Sequence, residues 1–300
     1  MIKIDIENID VFIDLHVVNV KNYINFDALQ HRERAYIKAN LENILRAEPQ
    51  EHETIIDDVK KNHIDNERLK KAFVGGSKYG GNIGYAKFSS KNTTPYNAYH
   101  LADELKIDVC PYCNRNYTFT IKSKKSSTRP QFDHFYDKAT YPVLALSFYN
   151  LIPSCSMCNS TMKGTKQFSL KTHVHPYVEG FNKKTHFKLH IKDSSFYYDK
   201  NGFEARMDIQ NQREQNNFDD FGLEKLYEKH ADIVLELIQK AQIYNESYLD
   251  ELMRNYEGTI FRSRDDLLRL VTCGYVSDED LHKRPLSKLI KDISEELDLL

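Results

Sequence analysis

Long apolar runs are missing from this 300-residue chain. No segment approaches the ~20 consecutive apolar residues that a membrane-spanning helix needs. Asp5, Glu7 and Asp10 break up the first stretch, so a secretory leader is not expected. A soluble, cytoplasmic protein with no membrane partner is the expectation. Cysteine is also scarce, at 5 residues. Four of them fall in two Cys-x-x-Cys pairs, which suits a reducing compartment and a metal site better than a disulfide scaffold. The fifth, Cys273, is expected to be a buried, inert thiol. Internal repeats and long low-complexity segments are absent. The glycine-rich stretch from Gly75 to Gly84 lacks the Gly-Lys-Ser/Thr ending of a phosphate-binding loop, so it reads as a flexible connector.

The near-absence of net charge, −2, conceals an asymmetry. From Lys106 to Lys192 there are 14 Lys or Arg against 4 Asp or Glu, a balance of +10, and the remainder of the chain carries −12. A basic island in an acidic chain is the electrostatic footprint of a polyanion-binding module.

Along the chain, short alternating runs at Ile2–Ile6 and Val11–Leu15 predict one or two edge strands. Tyr36, Ile37, Leu41, Ile44 and Leu45 predict a helix that stops before Pro49, and Glu53 to Phe73 a second one. A further helix is expected from Pro95 to Leu105. Tyr117–Ile121, β-branched and aromatic, and Gln131–Phe135 predict strands. Lys122 to Arg129 reads as a basic, serine-rich loop, and Tyr141 to Asn150 as an apolar loop or short helix. A helix capped by Ser156 would place Asn159 and Lys163 on one face. Lys171 to Lys192 alternates and predicts a hairpin turning at Gly180. Beyond Asn217 the pattern is helical, with a last helix starting near Pro285.

The chemistry concentrates between Cys110 and Gly164. Cys110-Pro111-Tyr112-Cys113 and Cys155-Ser156-Met157-Cys158 would supply four thiolates to one tetrahedral zinc. CPYC alone also occurs in thiol oxidoreductases. There it precedes a helix, whereas Asn114 to Phe119 are poor helix formers. Between and after the pairs come Asp133-His134, Asn150-Leu151-Ile152-Pro153, Asn159 and Lys163-Gly164. Asn150 follows His134 by 16 positions and Asn159 follows it by 25, the span of one hairpin and one helix.

In order and spacing these residues resemble the HNH endonuclease motif, the ββα-metal or His-Me finger, in its zinc-stapled, Asn-ending form. The resemblance covers roughly a fifth of the chain. Many members carry a histidine where Lys163 stands; lysine cannot take that ligand's place, so the metal role falls on Asn159. The resemblance implies an α+β, mainly helical chain around a central zinc-stapled ββα-metal module. It would comprise a mostly helical region 1–105, the nuclease module 106–192 and a helical region 193–300. It further implies His134 as general base and Asp133 with Asn159 as ligands of one Mg²⁺ or Mn²⁺. Asn150 would orient His134, and Lys138 and Lys163 would touch phosphate. His173 and His175 read as surface or packing residues rather than as ligands of an added metal. The expected activity is phosphodiester hydrolysis, in DNA. Similar proteins occur in bacterial anti-phage or mobile-element systems, beside an SMC-like ATPase in Septu or retron loci, and such a partner is implied. The competing reading is a non-catalytic zinc ribbon that binds nucleic acid or protein; it leaves Asp133-His134 and Asn159 without a purpose.

Overall fold

The computed structural model describes residues 1–123, 125–181 and 184–300. Lys124 of the basic loop and residues 182–183 of the expected hairpin lie outside the described residues. The chain is α+β, chiefly helical with small antiparallel sheets, and its contacts cluster into two units.

One unit comprises Ile4–Ile107 and Thr118–Val178. Its helices are α1 (Ile9–Val20), α2 (His31–Arg46), α3 (His52–Lys61), α4 (Asn66–Leu69), α5 (Gly84–Ser89) and α6 (Ala98–Leu105). The strand expected at Val11–Leu15 is instead part of α1. Ile13, His16, Val17 and Val20 are its buried residues, and their spacing of three, one and three positions is helical. The single helix expected from Glu53 to Phe73 is broken. His63 turns left-handed, with φ 51°, and Asp65 caps α4 by accepting the Arg68 N–H at 2.8 Å. Holding this break is buried Glu33 of α2, which accepts from the Arg68 guanidinium at 2.8 Å and the Asp65 N–H at 3.0 Å. Local propensity cannot register so distant a carboxylate.

Gly75 to Gly84 is not a loose connector. Gly76 and Gly81 exchange N–H···O bonds of 2.7 and 2.8 Å, closing a tight turn. Gly84 then starts α5 at φ 52°, where a Cβ would meet the Phe73 carbonyl oxygen at 2.2 Å. Only glycine fits that crossing, and the next residue, Tyr85, reaches the candidate site.

Strands β1 (Ile121–Lys122) and β2 (Ser127–Thr128) pair briefly, so little of the expected Tyr117–Ile121 strand forms in the ladder. β3 (Gln131–His134) runs antiparallel to β4 (Leu151–Ser154), with Gln131 opposite Ser154 and His134 opposite Leu151. The segment between them carries 3-10 turns at Pro142–Leu144 and Phe148–Asn150. After β4 comes a π-helical turn, Met157–Lys163.

The other unit comprises Met1–Lys3, Asp108–Tyr117 and Glu179–Leu300. It holds β5 (His186–Ile191), β6 (Phe203–Asp208), α7 (Gln212–Asp220), α8 (Leu223–Tyr227), α9 (Ala231–Ile243), α10 (Glu246–Tyr256), α11 (Arg264–Thr272) and α12 (Ser287–Glu296). Among the described residues no hairpin turns at Gly180; β5 pairs with β6. Gly180 marks a close approach instead, since a Cβ there would sit 2.5 Å from the Lys3 nitrogen. The second edge of β5 is closed by α12. Asp292 accepts the Phe187 N–H at 2.9 Å and Glu296 the Leu189 N–H at 2.7 Å. Cys273 is exposed rather than buried, because it ends α11 in the left-handed conformation, φ 60°. Among the described residues no helix is long and apolar enough to cross a membrane.

Candidate active site

Each cysteine pair is shaped by its own turn. Asn114 donates its N–H to the Cys110 carbonyl at 2.8 Å and then turns left-handed, φ 47°. No helix follows Cys113, so Cys110 lacks the helix N-terminus that lowers a redox thiol's pKa. In the second pair, the Cys155 sulfur accepts the Cys158 N–H at 3.4 Å. That sulfur does the capping assigned above to Ser156, whose side chain makes no cap bond.

The sulfurs of Cys110, Cys113, Cys155 and Cys158 all lie within 4.8 Å of one another, and all four residues are buried. Thiolates held ~2.3 Å from a central zinc would be ~3.8 Å apart, so the cluster could hold that ion.

The motif residues meet at a polar cleft of about 320 Å³. Asp133, His134, Lys138, Asn159 and Lys163 line it; Asn150 does not. Successive strand residues point to opposite faces, which would part Asp133 from His134. β3 ends at His134, however, and both side chains reach the cleft.

His134 is buried, and its Nε2 donates to the Ala145 carbonyl at 3.0 Å. A carbonyl only accepts, so Nε2 carries the proton, and a neutral ring keeps a lone pair on Nδ1. Nδ1 has no hydrogen-bond partner among the described residues. Burial first, then the charge of Lys138, hold the His134 pKa well below the usual 6.5; the Ala145 bond opposes them. The Tyr85 ring meets the imidazole edge-on, centroids 4.4 Å apart.

Asn150 is fully buried, and its bonds go to the loop rather than to His134 itself. Its Oδ1 accepts the Tyr136 N–H at 2.7 Å, while Nδ2 donates to the Tyr136 and Leu144 carbonyls, each at 3.0 Å. It thus secures the carbonyl next to the one that holds His134.

Lys163 is buried too, with its side chain 2% exposed. The ammonium donates to Asp133 Oδ1 at 2.9 Å and to the His134 carbonyl at 2.6 Å. It is placed to neutralise Asp133 and pin the end of β3. Lys138 remains at the cleft, half-buried, with its ammonium 5.3 Å from the centre of the Tyr85 ring. Burial lowers its pKa, against the opposing charges of Asp137 and Asp133.

Asn159 directs its Nδ2 to Gln131 Oε1 at 2.8 Å, and Ser160 donates to the same oxygen at 2.7 Å. The amide oxygen of Asn159 is the atom left for a cation. Gln131 was not singled out from sequence, although it stands two residues before Asp133 and so on the same face of β3. Arg129 and Tyr85 line the cleft as well, and neither lies within the recognised motif. A carboxylate and an amide oxygen at a polar cleft fit a hard cation that keeps part of its water shell.

No family model matches the chain, and no solved structure matches it. A stretch of 76 residues is 32% identical to Septu protein PtuB of Bacillus thuringiensis. The match covers 25% of this chain and 27% of that protein, so the chain spans about a quarter of the relative it matches.

Proposed function

We propose that this protein is a metal-dependent HNH-type endonuclease that hydrolyses phosphodiester bonds in DNA. The observation carrying the reading is the tautomer of His134. With its proton held on Nε2 by Ala145, the ring is an acceptor at Nδ1 inside a cleft that also holds Asp133 and Asn159.

His134 takes a proton from a water at Nδ1 as the water oxygen attacks phosphorus, and the 3′-oxygen leaves. Its lowered pKa keeps the ring in the base form at neutral pH. Asp133 and Asn159 would hold the cation, which when bound offsets charge on the phosphoryl group and the leaving oxygen. Lys163 tempers the Asp133 charge and fixes the strand end, and Lys138 meets substrate phosphate at the cleft. Four thiolates on zinc would stabilise the fold around the site.

The similarity to Septu protein PtuB, with the HNH resemblance, supports a role in anti-phage defence beside an SMC-like ATPase. The test is digestion of plasmid, single-stranded DNA and tRNA with Mg²⁺ or Mn²⁺, wild type against His134→Ala. Cleavage of DNA that the substitution abolishes is the expected result. Tight binding of nucleic acid with no cleavage under any metal would overturn it in favour of a zinc-ribbon binding module.

A further inference from the structure

Four consecutive residues of the loop behind the cleft are each gripped by a side chain. Asn150 Nδ2 donates to the Leu144 carbonyl at 3.0 Å, and His134 Nε2 to the Ala145 carbonyl at 3.0 Å. His16 Nε2 meets the Leu146 carbonyl at 2.8 Å, and His52 Nε2 shares a 3.1 Å hydrogen bond with the Ser147 hydroxyl. The first two grips come from the recognised motif. The others come from α1 and α3, more than eighty residues earlier in the chain.

We propose that His16 and His52 are positioning residues for the general base, holding the Leu144–Ser147 loop so that the Ala145 carbonyl keeps His134 in one tautomer. This rests on the nuclease reading above. Peptide planarity couples these grips. The Ala145 carbonyl belongs to a rigid plane, and the planes on either side carry the Leu144 and Leu146 carbonyls. Asn150 clamps one neighbour and His16 the other, so the middle plane is bracketed. His52 then secures the next residue along.

His16 is itself fully specified. It is wholly buried, and its Nδ1 lies 3.1 Å from the Tyr96 hydroxyl. The phenol donates to Nδ1, which leaves Nε2 with the proton for Leu146. Phe88 and Phe148 meet its ring edge-on at 5.4 and 5.7 Å. An apolar side chain would fill such a site without the cost of burying polar atoms. A histidine there, aimed at a carbonyl beside the one that holds the base, serves direction rather than volume.

If the bracket is lost, the Ala145 carbonyl can turn away and the His134 Nε2–H loses its partner. The tautomer protonated at Nδ1 then becomes populated, and its lone pair lies on Nε2, towards the loop, so Nδ1 no longer accepts a proton from water. Displacements of this size, far from the chemistry, cost roughly 100-fold in rate.

The experiment uses the full chain with His16→Phe, His16→Gln and His52→Leu. Two quantities are read: steady-state cleavage with Mn²⁺, and the His134 tautomer by ring ¹⁵N–¹H NMR at one fixed pH. His16→Phe is expected to lower kcat roughly 10- to 100-fold with KM unchanged, and to show mixed His134 tautomers. His16→Gln, which can direct an amide N–H at Leu146, should recover much of the rate and the single tautomer. A role in packing alone predicts the opposite order, with Phe tolerated and Gln not. A single Nε2–H tautomer with wild-type kcat in His16→Phe would overturn the proposal. Should that variant fail to fold, His52→Leu is read by the same two measurements with the same criteria. If the wild type cleaves nothing, the nuclease reading fails, while the tautomer spectra still decide the positioning claim.

Discussion

Lys163 and Asp133 form a buried ion pair, Nζ to Oδ1 2.9 Å, with side chains 2% and 3% exposed. The same ammonium reaches the His134 carbonyl at 2.6 Å. A lysine expected at the substrate is thus engaged inside the protein, paired with Asp133, while Lys138 and Arg129 are the other cations lining the cleft.

Removing one member of such a pair leaves the other buried and uncompensated. Lys163→Met is therefore expected to cost about 3–5 kcal/mol of stability. Lys163→Met with Asp133→Asn should recover much of that loss, because neither charge remains, while cleavage is lost with the Asp133 carboxylate. Urea denaturation of both variants beside wild type checks this. A fully stable single variant would show that the pair contributes little.

His134→Ala is expected to lower cleavage by about 10²–10⁴-fold, the usual worth of general-base assistance. Zinc content and substrate binding should be unchanged. Added imidazole should restore part of the rate by supplying the missing base. Single-turnover cleavage with and without imidazole is the measurement.

Asn159→Ala should behave differently, raising the Mg²⁺ or Mn²⁺ midpoint and being partly rescued by high Mn²⁺. A normal midpoint in a metal titration of cleavage would remove Asn159 from the ligand set. Gln131→Ala should shift the midpoint in the same direction but less, since Gln131 holds Asn159 through one hydrogen bond.

Stability should fall as pH drops from about 6.5 towards 4. Burial lowers the pKa of both His16 and His52 from 6.5 to about 4. In the unfolded chain these rings gain protons near 6.5, while the folded protein resists until much lower pH. The stabilising contribution is therefore present above the unfolded pKa and lost as pH falls through the folded one. Each site contributes on the order of 3 kcal/mol. His16→Phe should flatten the slope in that window, read from denaturation midpoints between pH 4 and 7.

Metal analysis should find about one zinc per chain, as a closed four-thiolate site requires. Cys110→Ser should lower the melting temperature, because ligand loss removes binding energy coupled to folding. A zinc-free protein with wild-type stability would end the assignment.

The two cysteine pairs were legible from their spacing, because a tetrahedral metal needs four ligand atoms so placed, and the resemblance to the HNH motif marked Asp133-His134, Asn150 and Asn159 as candidates. The helical periods of α2 and α6 were legible for a related reason, as each buries one stripe of its own residues, whereas α12 is buried on every face from Ser287 to Ser294. Where the deciding group lay far away in sequence, the local reading failed. Glu33 broke the helix expected at Glu53–Phe73, and α12 closed the β5 edge where a hairpin around Gly180 was expected. The same holds at the cleft. Lys163 was expected to touch phosphate, and the fold put Asp133 and the His134 carbonyl beside it. His16 and His52 had no readable role at all, since a buried hydrogen bond depends on where two distant segments meet, and no local periodicity records that meeting.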